Sequence, residues 1–182
     1  MTRSTRSIRT MLAAAAIVAG AAGSAAAQTD IVQDPQDAGG AYQDIRWVQA
    51  KHATTHVSVT VSFTDLPPES TGGPSSLALY VDTDPGAKGP EFRLATGLEE
   101  GSDYQLVRYE DWAPVGDPLS CKHSVVLDHD QAKVYASIAR KCLGKPVKVR
   151  IGAKMTSNWN PEHPTVDWMK KPRGFTEWLA RG

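Results

Sequence analysis

Residues 56–64 constrain the fold more than any other stretch of the chain. Val57, Val59, Val61 and Phe63 alternate with Ser58, Thr60 and Ser62. Successive side chains of an extended strand point to opposite faces, so four apolar groups share one side and three hydroxyls the other. This strict period of two predicts a strand with one face in a core and one in water. Leu66-Pro67-Pro68 ends it, because proline cannot donate to a ladder.

The same kind of signal recurs along the chain. Residues 42–50 carry Ile45 and Trp47 at period two, which predicts a strand with Trp47 in the core. Residues 77–81 are apolar throughout and suit a central strand. Residues 91–95 and 103–109 read as a hairpin around 97–101, and residues 147–155 as a last strand with Val147, Val149 and Ile151 aligned. Loops containing glycine and proline separate these runs at 69–75, 82–90 and 112–118. About eight short strands and no helical period of comparable length predict an all-β fold, an antiparallel sandwich of the jelly-roll kind. Residues 28–41 are polar and contain glycine, which reads as a flexible entry segment. Residues 156–182 hold Trp159, Trp168, Trp178 and three prolines. They read as an irregular tail packed on the domain, with room for one helical turn at 175–179; the competing reading exposes a tryptophan for a ligand.

The N-terminus places the chain outside the cytosol. Arg3, Arg6 and Arg9 precede an alanine-rich apolar run at 11–22, and small residues follow at 23–27. That order is an export signal, expected to be removed before Gln28, and the run is too short to be a stable membrane span. The remaining 155 residues (182 minus 27) suit one domain. Removing three basic residues from 20 leaves 17 against 20 acidic, a net charge of −3. Such a chain has no electrostatic reason to seek nucleic acid or anionic lipid, and a monomer is expected.

In an exported protein two cysteines suggest a disulfide. Residues 121–127 and 134–142 flank the polar turn Asp128-His129-Asp130-Gln131. Pairing the arms so that Val125 faces Ile138 and Leu127 faces Ala136 also sets Cys121 opposite Cys142. A loop of this length contributes about 3 kcal/mol when bridged. A redox pair or a thiolate metal site would call for a CxxC spacing, which is absent.

Three short motifs carry a family likeness: Asp44-Ile45 opening a strand, residues 57–66 ending in Phe63-Thr-Asp65-Leu66, and Leu79-Tyr-Val-Asp82-Thr-Asp84 followed by a glycine-rich loop and Asp103-Tyr104. On these, residues 40–155 resemble small secreted actinobacterial β-sandwich proteins related to the DOMON and family-nine carbohydrate-binding module group. The resemblance implies a jelly roll that binds a ligand without catalysis. Members of that wider group bind sugars, haem or calcium, so the likeness leaves the ligand open.

The residues offer few candidates for chemistry. Asp82 and Asp84 stand two apart where a strand runs out, so both carboxylates can face one cation; Glu91, Asp103 and Asp44 are further oxygens that calcium would accept. The competing reading is turn chemistry, with Asp84-Pro-Gly building a turn and Asp82 capping amides. His52, His56, His123 and His129 lack the spacing of a zinc site and read as scattered surface residues. No Gly-x-Ser-x-Gly elbow is present, and Glu91 with Asp103 is only one of many carboxylate pairs a glycosidase reading would allow. Trp112 and Trp159 lie in loops, where a ring face can meet a sugar. The expectation is a secreted, non-catalytic binding module with an extracellular polysaccharide or surface component as ligand and calcium as a structural ion. A small hydrolase with paired carboxylates, and an envelope-associated protein partner or inhibitor, are the alternatives.

Overall fold

The computed structural model describes residues 26–38, 43–70, 72–158, 160 and 162–182. Most of the expected export signal, residues 1–25, and Trp159 lie outside the described residues. Two antiparallel sheets face each other. The first has the order β1 (Gln28–Gln33), β2 (Ile45–His52), β3 (His56–Phe63), β9 (Lys133–Ala139), β8 (His123–Asp128). The second runs β11 (Thr165–Trp168), β10 (Lys148–Ser157), β4 (Ser75–Asp82), β5 (Phe92–Gly97), β6 (Tyr104–Glu110), β7 (Ala113–Val115). A two-residue strand, β12 (Leu179–Ala180), pairs with the start of β10.

The core lies between the sheets and is built by the alternation read from the sequence. Val57, Val59, Val61 and Phe63 of β3 meet Leu77, Leu79 and Val81 of β4, with Ile138, Val149, Ile151 and Met155 filling the rest; all are buried. The expected antiparallel sandwich therefore forms, with twelve strands among the described residues against the eight or so expected. The additional ones include β1, where a flexible entry was expected, β7, and the pair β11 and β12. The tail is extended, with no helical turn at 175–179. It runs along β10, and Thr176 continues the pairing: its N–H donates to Ile151 O at 2.8 Å, and its Oγ1 accepts from Ile151 N at 3.0 Å. A glycine is required where the two cross, because a Cβ on Gly152 would lie 2.8 Å from Gly174 O.

Two local departures from the sequence reading have clear causes. A bulge between Ile45 and Trp47 breaks the period of two. Trp47 is therefore half-buried with Lys133 over its ring, and Val48, Ala50 and His52 point inward instead. In the cysteine hairpin, β8 and β9 pair Val125 with Ala136 and Leu127 with Val134, two residues off the expected register. A shift of two keeps every side chain on its face. The Cys121–Cys142 disulfide forms nonetheless, with a Cα–Cα distance of 5.7 Å, because β9 ends at Ala139 and a 3-10 turn (Arg140–Leu143) carries Cys142 back toward Cys121.

Candidate metal centre

At one end of the sandwich the chain brings four aspartates together. Asp34 follows β1, Asp37 lies in the loop after it, Asp44 immediately precedes β2, and Asp167 sits in β11. Asp44 is fully buried and fully used. Its Oδ1 accepts from the amides of Asp37 (3.0 Å) and Ala38 (2.8 Å), and its Oδ2 from Thr64 Oγ1 (3.2 Å). It thereby ties residues 37 and 38 to the start of β2, with Asp34 and Asp37 beside Asp167.

Asp34 and Asp167 are different. Each is buried, at 7% and 2% exposure, and each has one oxygen served by one backbone amide. Lys170 N–H donates to Asp34 Oδ1, and Ile45 N–H donates to Asp167 Oδ2 at 2.7 Å. The other oxygens, Asp34 Oδ2 and Asp167 Oδ1, are buried without a partner among the described residues. One carboxylate oxygen from each of Asp34, Asp37 and Asp167 lies within 4.8 Å of the others. Burial pushes the Asp167 carboxyl up to about 7; its neighbours Asp34, Asp44 and Asp37 add to the shift, against the pull of the Ile45 amide. Burial likewise raises Asp34 to about 6, with Asp37 and Asp44 adding and the Lys170 amide opposing. An unpartnered buried carboxylate is expensive, and it is relieved by taking a proton or by coordinating a cation. With oxygen donors from three carboxylates, this centre can hold a metal ion.

Apart from Asp44, the acidic residues singled out from the sequence lie elsewhere. Asp82 is fully buried at the end of β4; its Oδ1 also lacks a partner among the described residues, but Arg150 donates to its Oδ2 through Nε (2.8 Å) and Nη2 (2.6 Å) and supplies the counter-charge that Asp34 and Asp167 lack. Burial still raises its pKa, with Arg150 opposing. Asp84 is exposed, and its Oδ1 accepts from Gly86 N, as a turn-forming aspartate does. Glu91 Oε2 accepts from the amides of Thr83 and Asp84 and from the Thr83 hydroxyl, so the loop is laced to itself. Asp44 belongs to the cluster at Asp34 and Asp167.

Trp112 is half-buried on the outer face of the second sheet. It sits with Asp111 at positive φ in the two-residue turn joining β6 and β7. Its ring packs 5.2 Å from Tyr80 and 5.9 Å from Phe175 (between centroids), with the Arg173 guanidinium 4.8 Å away. Of the histidines, His52 is fully buried, correcting the surface reading. Its Nδ1 meets Leu179 O at 3.0 Å and its Nε2 has no partner; burial, Arg140 and Arg181 lower its pKa against the pull of Leu179 O. His123 and His129 bond the carbonyls of Cys121 and Leu66.

Asp34, Asp37 and Asp167 escape a sequence reading because they come from opposite ends of the chain; the Ile45–Asp167 bond alone spans 122 residues. Compared with known protein families, curated proteins and solved structures, the chain has no match.

Proposed function

We propose that this protein is an exported, non-catalytic β-sandwich binding module whose fold closes around a divalent cation, with calcium the ion of choice. The observation that carries the reading is the pair of buried oxygens, Asp34 Oδ2 and Asp167 Oδ1, that no group among the described residues serves. The donor set is all oxygen, which suits calcium; zinc favours nitrogen and sulfur. Backbone carbonyls and water would complete the shell. The disulfide suits an oxidising compartment, the one to which the N-terminal signal would send the chain.

For the ligand, an extended extracellular polysaccharide is the reading supported by a shallow trough of about 310 Å³ on the outer face of the second sheet. Ser76, Ala78 and Ala95 line it with small side chains, while Gln105, Lys154 and Thr156 offer polar groups at its surface. Sugar hydroxyls bond to amide, hydroxyl and ammonium groups.

Thermal unfolding at pH 8, in calcium and then in chelator, tests the cation. An ion at 100 times its dissociation constant stabilises by about 2.7 kcal/mol, a rise in Tm of roughly 5–10 °C. The rise is expected in the parent protein and absent in Asp167→Asn. An equal Tm in calcium and chelator would overturn the cation reading. Retention on insoluble polysaccharides, weakened in Gln105→Ala, tests the ligand; no retention on any of them would remove it.

A further inference from the structure

The opposite end of the sandwich carries a pocket of the opposite sign. It has a volume of about 360 Å³ and lies between the β2–β3 turn, the end of β9 and the 3-10 turn. Lys122, Lys141 and Lys145 line it together with His56 and Arg140, and no aspartate or glutamate does. None of the three ammonium groups has an ion-pair partner among the described residues.

The pocket is held in shape. Arg140 is 7% exposed, and its guanidinium donates to Thr54 O, Lys145 O and Pro146 O at 2.8–3.2 Å. It clamps the β2–β3 turn to the 144–146 loop, and its charge sits in the pocket wall without a carboxylate. The disulfide does the rest. Cys121 and Cys142 are joined, so their chain neighbours Lys122 and Lys141 are fixed beside the same cavity. Ala139 N–H donates to Lys122 O at 3.0 Å and Arg140 N–H to Thr55 O at 2.8 Å, which closes the frame.

We propose that this pocket binds a phosphate group, free or carried on a polymer. Three exposed lysines around a cavity whose wall holds a buried guanidinium favour an anion of more than one charge, and lysine is a point-charge donor to phosphate oxygens. Such a site gives the proposed binding module a second ligand class. It needs no cation, and its test runs in chelator, so failure of the calcium reading leaves it standing.

The test is calorimetric titration of the oxidised protein with inorganic phosphate at low salt. Saturable binding is expected, weakened about tenfold in the double variant Lys122→Ala/Lys141→Ala. The charge-matched control Lys88→Ala/Lys171→Ala, made at surface positions outside the pocket lining, should bind like the parent. Linear polyphosphate distinguishes the sources: tighter binding than inorganic phosphate assigns the site to a polymer, and equal binding per phosphate assigns it to the free ion. Absence of saturable binding, equal loss in both double variants, or binding of a carboxylate polymer with no binding of phosphate would each overturn the proposal.

Discussion

β2 runs from one end of the sandwich to the other, a span of about 25 Å for eight residues. Each end buries charge without a counter-ion, and the two ends resolve it differently. At the basic end, Arg140 has several donors and the surrounding loops present carbonyls, so the guanidinium is served by backbone alone. At the acidic end a carboxylate needs N–H or O–H donors. Asp44 finds three, while Asp34 and Asp167 find one each. Loops offer carbonyls and amides in equal number, but a carbonyl has two lone pairs and can accept twice, as Pro146 O does from Arg140, whereas an amide has one proton to give. A buried cation is therefore easier to satisfy internally here than a buried anion, and the acidic end is left to a proton or a metal.

The largest expected effect tests whether the basic end is complete as built. Arg140→Met keeps much of the volume and leaves the carbonyls of Thr54, Lys145 and Pro146 without their donor. A hydrogen bond to a charged group contributes about 1.5–3 kcal/mol, less where water reaches the acceptor as at the exposed Thr54 and Lys145, so a total of about 3–5 kcal/mol is expected, or a fall in Tm of roughly 10 °C. A loss below about 1 kcal/mol in denaturant unfolding would mean that water already serves those carbonyls, and the contrast between the ends would fail.

The next effect concerns pH and has opposite signs at the Asp34–Asp167 cluster and at His52. Asp34 and Asp167 have folded pKa values of about 6 and about 7, above the ordinary 3.8. The folded state therefore holds their protons more tightly than the unfolded state. Their contribution is full below about pH 4 and is lost as the pH rises to about 7. Asp82, also raised, acts in the same direction. His52 acts in reverse: its folded pKa lies below 6.5, so its contribution is present above that value and lost as the pH falls. With two carboxyls shifted by two units or more, the acidic end wins. In chelator, Tm should fall by roughly 5–10 °C between pH 5 and pH 8. Calcium should cancel most of that fall, and Asp167→Asn should remove its largest share. A flat profile in chelator would show that both carboxylates are already satisfied.

The two ends also differ in how far the sequence reveals them. β3 is legible because its buried positions are all apolar. β11 is not: in Thr-Val-Asp-Trp the fully inward position is Asp167 and the apolar Val166 faces solvent, so the residue that matters at the centre is the one that disguises its strand. β1 hides for a related reason. It is an edge strand that buries only Val32, and the rest of it reads as linker. Asp82 and Asp84 drew attention by adjacency, whereas three-dimensional convergence joins Asp34 to Asp167, which no local spacing encodes. At the basic end, the cysteine hairpin was legible as a pairing but displaced by two residues. Alternation fixes a strand's face, and a shift of two leaves the face unchanged.

The smallest effect is the most diagnostic, because its sign should change. Asp37 is the exposed member of the acidic cluster, and its charge adds to the upward shift of both buried carboxyls. Its backbone amide holds Asp44, and Asp37→Asn leaves that bond in place. In chelator at pH 8, the substitution removes a repulsion, and Tm should rise by about 1–2 °C. In calcium the same substitution removes one of three ligands, and Tm should fall below the parent's. A residue with only a local structural role would shift Tm the same way in both conditions. Lys141→Ala at the other end supplies the reference: calcium should leave its effect on Tm unchanged, because no ligand for a cation is altered there. A sign change at Asp37 without one at Lys141 would locate the cation at the acidic end by the protein's own charge. The same sign at Asp37 in both conditions would mean that the cluster holds protons and nothing else.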